Sequence, residues 1–203
     1  MILAVDTSLG TAVAVIDDDG ALRAEAATSD PLGHAEVIGD LLVRVLDEAG
    51  AGEITHVVSG MGPGPFTGLR IGIAAARTFA LGRGIPVIPV PSHLAAALTH
   101  AGEGRFAIVT DARRREVAIT VFDGTDADGV PAVVADTVLV PASVADAHLA
   151  GVRRIDVATL SGADLARVGA RALAAGRTLA GDEPLYMRHP DVVVPGAPKK
   201  VGL

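Results

Sequence analysis

Cysteine and tryptophan are absent from this chain of 203 residues, and lysine occurs only at Lys199 and Lys200. Without cysteine there are neither disulfides nor thiolate metal sites, and a reducing cytoplasm is the expected compartment. Rings on which a base could stack are scarce, with four Phe and one Tyr. The formal net charge is −7, whereas a protein that binds nucleic acid unaided draws most of its affinity from a basic face. Contact with RNA would therefore have to be shared with a partner. No apolar run approaches the ~20 residues of a membrane helix. The opening MILAVDTS lacks a basic start and meets Asp6 too early for a secretory signal. A soluble cytoplasmic protein that does not engage membranes is expected.

What is present is apolar and finely alternating. Half of the residues are hydrophobic, enough for one large domain or two small lobes. Residues 2–6, 11–16 and 21–28, the last after Asp19-Gly20, predict an antiparallel three-strand meander. Ile38, Leu41, Leu42, Val45 and Leu46 recur at helical spacing and predict a helix from about Ala35 to Ala49. A buried strand at 54–60, a Gly/Pro loop, a helix from about Thr67 to Leu81, a strand at 85–90 and a short helix from Ser92 follow. A second, similar beginning comes next, with strands at 106–111 and 116–122 around a three-arginine turn and a loop at 123–129. Residues 131–140 read as extended, 143–150 as helix, 154–159 as strand and 162–180 as helix. The echo between ILAVDTS and FAIVTDA predicts two lobes with related starts, 1–102 and 103–203, built on mixed α/β sheets. The stretch from about 184 is expected to pack back on the first lobe, with a loosely held Pro/Gly/Lys-rich tail from Val194.

The most informative segment is Gly60-Met-Gly-Pro-Gly-Pro-Phe-Thr-Gly-Leu-Arg-Ile-Gly72, between a buried strand and a helix. Amides at a helix N-terminus bind anions, so a phosphate cradle is one reading. Pro63 and Pro65 oppose it by removing two donors. A dinucleotide site, and with it an oxidoreductase, is further disfavoured because the next strand offers no acid for a ribose. A Walker loop fails for want of a Lys-Ser or Lys-Thr pair. The other reading is a rigid turn whose small residues let another backbone approach.

GPGPFTGLRIG resembles the signature of the TsaB (YeaZ) family, which typically reads G-x-G-P-G-S-F-T-G-x-R-I-G. Asp6-Thr7-Ser8, PVIPVPSHL at 86–94, Asp111-Ala-Arg-Arg-Arg-Glu-Val117 and Pro184-Leu-Tyr-Met-Arg188 agree in order, so the resemblance spans nearly the whole chain. Pro65 stands where the family favours Ser, and Ala118 where it favours Tyr. The resemblance implies a two-lobed actin-like ATPase fold with ribonuclease-H-like sheets. It also implies a non-catalytic scaffold or activator in forming N6-threonylcarbamoyladenosine beside the tRNA anticodon. The implied partners are a catalytic TsaD-like subunit and a TsaE-like ATPase, with tRNA reached through the complex. No cofactor would be intrinsic to the chain, and ATP or ADP with Mg²⁺ would enter only in the assembled complex.

The residues agree with the absence of a catalytic role. The six histidines include no pair four apart, and His93 and His100 stand two turns apart, about 10 Å, too far to clamp one ion. There is no H-E-x-x-H and no G-x-S-x-G. Asp6-Thr7-Ser8 reads either as a turn or as a residual nucleotide loop with a magnesium-organising carboxylate, and the latter makes an ATPase or phosphotransferase using Asp6 the rival function.

Family resemblance places the partner interface on the two N-terminal-lobe helices, at Ile38, Leu41, Leu42, Val45, Phe66, Leu69, Arg70, Ile73, Ala74 and Arg77. The second helix is apolar nearly all round and needs cover on more than one side. An exposed apolar helix pair would also favour a homodimer when the partner is absent. Arg113, Arg114 and Arg115 form the dense basic cluster, read either as a solvated turn or as an auxiliary contact to tRNA phosphate.

Overall fold

Strands that show no polar face must be covered on both sides, and the first two strands are of that kind. The computed structural model describes residues 1–30, 33–102 and 104–187. In it β1 (Ile2–Asp6), β2 (Thr11–Ile16) and β3 (Leu22–Thr28) form the antiparallel meander. β4 (His56–Gly60) and β5 (Val87–Val90) extend it in parallel, in the order β3-β2-β1-β4-β5. Leu3, Val5, Val13, Val15 and Val57 point to one face, where they pack with Ile38 and Val45 of α1 (His34–Ala49) and Ala76 and Ala80 of α2 (Phe66–Arg83). Ile2, Ala4, Ala14, Ile16 and Val58 point to the other. This period of two is what a strand imposes on its side chains.

The second sheet holds β6 (Arg105–Asp111), β7 (Glu116–Thr125), β8 (Pro131–Pro141) and β9 (Arg153–Asp156), in the order β8-β7-β6-β9. β6, β7 and β8 are antiparallel and β9 lies parallel to β6. Strand for strand, this repeats the β3-β2-β1-β4 portion of the first sheet. The duplicated ribonuclease-H-like sheet is the expected two-lobed actin-like fold. One face of the second sheet packs Ala107, Val109 and Ile119 against Leu149 of the short α4 (Ala145–Leu149). The other face, with Phe106, Ile108 and Phe122, joins the core of the first sheet through α3 (Ser92–Leu98) and α5 (Gly162–Ala174).

Although α5 comes late in the chain, it lies on the first sheet, so close that a β-carbon on Gly169 would stand 2.3 Å from Val58. Its start is pinned from β3. Glu25 Oε1 accepts from Ser161 Oγ at 3.0 Å and from the Ala163 amide at 3.2 Å, while Ser161 caps the Asp164 amide at 3.1 Å.

Several boundaries differ from the sequence expectation: β4 starts at His56 rather than 54, β5 at Val87 rather than 85, α2 runs on to Arg83, and the helix expected over 143–150 is a 3-10 turn at Ala142–Val144 followed by α4. β7 continues to Thr125 rather than yielding to a loop at 123, because Asp126 Oδ1 accepts from the amides of Asp128 and Val130 and closes a tighter hairpin. β9 ends at Asp156, short of the strand expected over 154–159. α5 ends at Ala174 rather than near 180, because Gly176 takes a left-handed φ of 63° and residues 176 and 177 cap the last turn. The chain then runs back across α2, where Arg77 donates to the Asp182 carbonyl and the Leu185 amide to the Met61 carbonyl. Arg188 and the tail from Val194 lie outside the described residues. Among the described residues no helix is long and apolar enough to cross a membrane.

Candidate functional site

The Gly/Pro loop and the Asp6-Thr7-Ser8 turn, separate motifs in the sequence, form one packed unit. A β-carbon on Gly64 would meet Ser8 Cα at 2.8 Å, one on Gly68 would meet the Thr7 carbonyl at 2.9 Å, and one on Gly72 would meet Thr7 Oγ1 at 2.2 Å. Thr7 Oγ1 donates to the Gly68 carbonyl at 2.7 Å, which locks the turn onto the first turn of α2. These glycines therefore serve close approach by the chain's own Thr7-Ser8 turn, backbone at Gly64 and Gly68 and the Thr7 side chain at Gly72, and the geometry supports the rigid-turn reading over a phosphate cradle.

Asp6 lies at the centre of this unit and is buried. Its Oδ1 accepts from the Ser8 amide at 2.7 Å and from Ser8 Oγ at 2.5 Å, and its Oδ2 accepts from Ser92 Oγ at 2.5 Å. Ser92 Oγ also accepts from the Gly62 amide at 3.0 Å. Three motifs, at the end of β1, in the Gly/Pro loop and at the start of α3, are thus tied through one carboxyl group. Burial pushes its pKa above the usual carboxylate range, against the opposing pull of the Ser8 and Ser92 hydrogen bonds. A carboxylate that organises magnesium waters needs open lone pairs facing solvent. Asp6 does not fit that task, since both oxygens are turned inward onto serines.

A second polar knot lies behind the first. His93 on α3 is buried, with Nδ1 2.7 Å from Thr120 Oγ1 and Nε2 2.9 Å from Thr110 Oγ1. Thr120 Oγ1 in turn lies 2.7 Å from Thr137 Oγ1. Burial lowers the imidazole pKa to about 3, so at neutral pH it is an uncharged bridge between α3 and the second sheet. The sequence singles out no role for Ser92, and it points to His93 as a satisfied surface or core histidine rather than a metal ligand, which agrees with its buried, hydrogen-bonded place here. Their adjacency at a helix start inside a matched motif was the available signal.

Two cavities flank the loop. One of about 430 Å³ is lined by Ser8, Leu9 and Gly10 on the first sheet's side and by Asp111, Arg113 and Asp156 on the second's. The other, of about 410 Å³, lies between Phe66 and Tyr186 on one side and Thr110 to Arg114 on the other. Arg113, Arg114 and Arg115 have φ of 64°, 55° and 62°, three successive left-handed residues that each carry a β-carbon. Each such residue costs roughly 1–2 kcal/mol. Among the described residues no group of three or more His, Asp or Glu is arranged to hold a metal ion.

The residues read as a partner interface separate into groups. Ile38, Val45, Leu69 and Ile73 are buried inside this chain, and Leu41 and Leu42 are half-buried against the same core. They are not at the surface, because α1 and α2 turn these side chains onto the sheet and onto Met61. Arg70 Nε donates to Tyr186 Oη at 2.9 Å, with its guanidinium carbon 3.6 Å from the centre of the Phe66 ring. Arg70 and Arg77 thus hold the segment 182–186 instead of standing free at a rim. Ala74 is exposed, as are Val43 on α1 and Thr78 and Leu81 on α2. The all-round apolar character of α2 is explained by its sheet on one side, α1 on a second and the returning segment on a third.

The duplicated ribonuclease-H-like sheet defines a member of the actin-like superfamily. A family model described as "TsaD: tRNA N6-adenosine threonylcarbamoyltransferase" matches residues 31–172. The chain is 40% identical over 120 residues to the uncharacterized protein Rv3421c of Mycobacterium tuberculosis, covering 57% of this chain and 56% of that one. It is 33% identical over 121 residues to the Escherichia coli tRNA threonylcarbamoyladenosine biosynthesis protein TsaB, covering 57% and 52%. A Pseudomonas aeruginosa structure, an uncharacterized protein with similarity to peptidase YEAZ, superposes with a TM-score of 0.73 at 26% identity, over 92% of this chain and 99% of that one. The chain belongs to the TsaD family and, within it, to the TsaB (YeaZ) group. It spans from about a third to just over half of the length of the curated relatives it matches.

Proposed function

We propose that this chain is the non-catalytic scaffold of a cytoplasmic complex that forms N6-threonylcarbamoyladenosine in tRNA, where it pairs with a TsaD-like catalytic subunit. Kinship with the TsaB group supports the pathway. The observation that carries the scaffold role is the outward side of α1 and α2. Both helices lie on the same face of the first sheet, and there Val43 is 61% and Leu81 83% exposed. Gly39, Ala74 and Thr78 are exposed beside them, small enough for helix axes of a partner to approach to about 8–9 Å. The same face would join two copies of the chain when the partner is absent. Residues 1–102 form the partner-binding lobe in this reading and 103–203 the second lobe. A TsaE-like ATPase and tRNA join through the complex, with Arg113, Arg114 and Arg115 as an auxiliary phosphate contact. ATP or ADP belongs to the assembled complex. The buried, serine-bound state of Asp6 weighs against the rival reading of an ATPase or phosphotransferase centred on it.

Mixing the purified chain with its host's TsaD-like protein and measuring mass by light-scattering chromatography tests the proposal. An equimolar complex is expected. No complex at tens of micromolar, with or without nucleotide and the TsaE-like protein, overturns it.

A further inference from the structure

We infer that the groove between α3, the second sheet and the returning segment is a binding site for a small organic amine, an ammonium group carried on an apolar body. The groove has a volume of about 690 Å³, within the roughly 300–1,000 Å³ of pockets that enclose small organic ligands. Its lining takes no residue from the Gly/Pro loop or the arginine turn, and none from the outward face of α1 and α2 that carries the scaffold role.

The walls call for an apolar body. Leu94 and Phe122 form a buried end, and Leu179, Leu185 and Met187 of the returning segment line the rest. A hydrocarbon of modest size gains by leaving water for such a surface. The carboxylates set the sign of the charge. Arg177 lines the groove, but it is already held by Asp126 at 2.5 Å and Asp128 at 2.6 Å, so it has no charge to spare for an anion. Asp136 lines the same groove, and among the described residues its carboxylate has neither an ion pair nor a hydrogen bond. An uncompensated carboxylate beside apolar walls favours a cation.

The backbone brings a second acceptor beside it. Ile119 pairs with Val138 and Val121 with Ala135, so Thr120 alone stands opposite both Asp136 and Thr137. This bulge lets two consecutive residues of β8 line one groove, against the alternation of a regular strand. Thr137 Oγ1 is the open end of the chain of hydrogen bonds that runs through Thr120 and the uncharged His93 to Thr110. A donor arriving at Thr137 orders that chain in one sense. Thr137 then donates to Thr120, Thr120 to His93 Nδ1, and Nε2–H to Thr110. An ammonium group supplies that donor and meets Asp136 with another of its hydrogens.

The test titrates the full chain with phenethylamine at neutral pH. Heat of binding is read together with the ring nitrogen-15 shifts of His93, assigned by their loss in His93→Gln. Saturable binding with a Kd at or below ~1 mM is expected, weakened about tenfold or more by Asp136→Asn and by Thr137→Val. Asp136 is exposed, so Asp136→Asn removes the charge without disturbing the core. The neutral 2-phenylethanol and the ringless ethylamine are each expected to bind at least about tenfold more weakly than phenethylamine. In the complex His93 is expected as the Nε2–H tautomer. No saturable signal up to ~1 mM overturns the inference, as does binding untouched in either variant. Equal binding of 2-phenylethanol or ethylamine, or an Nδ1–H tautomer in the complex, overturns it too.

Discussion

A β-carbon added to Gly60 would stand 1.8 Å from Oδ2 of Asp6. The end of β4 and the end of β1, neighbours in the sheet, therefore share a space that holds one carboxyl group and nothing more. Gly60→Ala has to push Asp6 off Ser92 or bend β4. We expect it to destabilise the fold by about 1–3 kcal/mol in urea denaturation, and an unchanged midpoint would contradict the packing described.

Asp6 also makes a pH-dependent contribution. Its pKa is raised in the folded state, so its contribution to stability is complete below the ordinary carboxylate pKa and is lost as pH rises through the raised value. Asp6→Asn removes this term. The stability of the native chain relative to Asp6→Asn is expected to improve as pH falls toward 4. A difference that stays constant with pH would show that the carboxyl is not held as described.

His93 acts with the opposite sign. The folded imidazole has a pKa of about 3, against about 6.5 when unfolded. Below pH 6.5 the unfolded chain takes up a proton that the folded chain refuses, so stability falls by up to about 1.4 kcal/mol per pH unit from this group. His93→Gln is expected to flatten that slope. A His93 ring resonance that titrates between pH 5 and 8 in the folded protein would disprove the assignment.

The outward helix face gives a prediction at the level of assembly. Ala74→Arg, and separately Leu81→Glu, should abolish binding to the TsaD-like partner while leaving the thermal midpoint within about 2–4 °C of the parent, because both positions are exposed. Full-strength binding by both variants would remove α2 from the interface.

For the arginine turn, replacing Arg113, Arg114 and Arg115 with Ser should weaken tRNA binding by the assembled complex and flatten its dependence on salt by about one to three counterions. If the slope of log K against log salt is the same for both complexes, the turn does not touch phosphate.

Much of the architecture was legible because its determinants are local. Asp19-Gly20 announces a hairpin, and the alternation of Leu3 and Val5 with Ile2 and Ala4 announces a strand buried on both faces. The duplication could be read from the shared pattern of ILAVD and FAIVTD. The destination of side chains on α1 and α2 could not, because Leu69 and Ala74 look equally suited to an interface until the sheet, Met61 and the returning segment are placed around them. Arg70 and Arg77 illustrate the same limit, since their partners, Tyr186 and Asp182, lie more than a hundred residues away. The convergence of Asp6 with Ser92 was hidden for that reason too. A hydrogen bond spanning 86 residues leaves no periodicity in the sequence.

The position of α5 sets an order of events at the ribosome. Residues 2–90 contain every strand of the first sheet, but one face of that sheet, with Ile2, Ala4, Ala14, Ile16 and Val58, is covered by a helix that begins only at Gly162. Until that helix emerges, the nascent N-terminal half carries a bare apolar surface it cannot close by itself. At about 5–20 residues per second the exposure lasts several seconds, and a chain truncated before 162 keeps that surface bare and prone to aggregate.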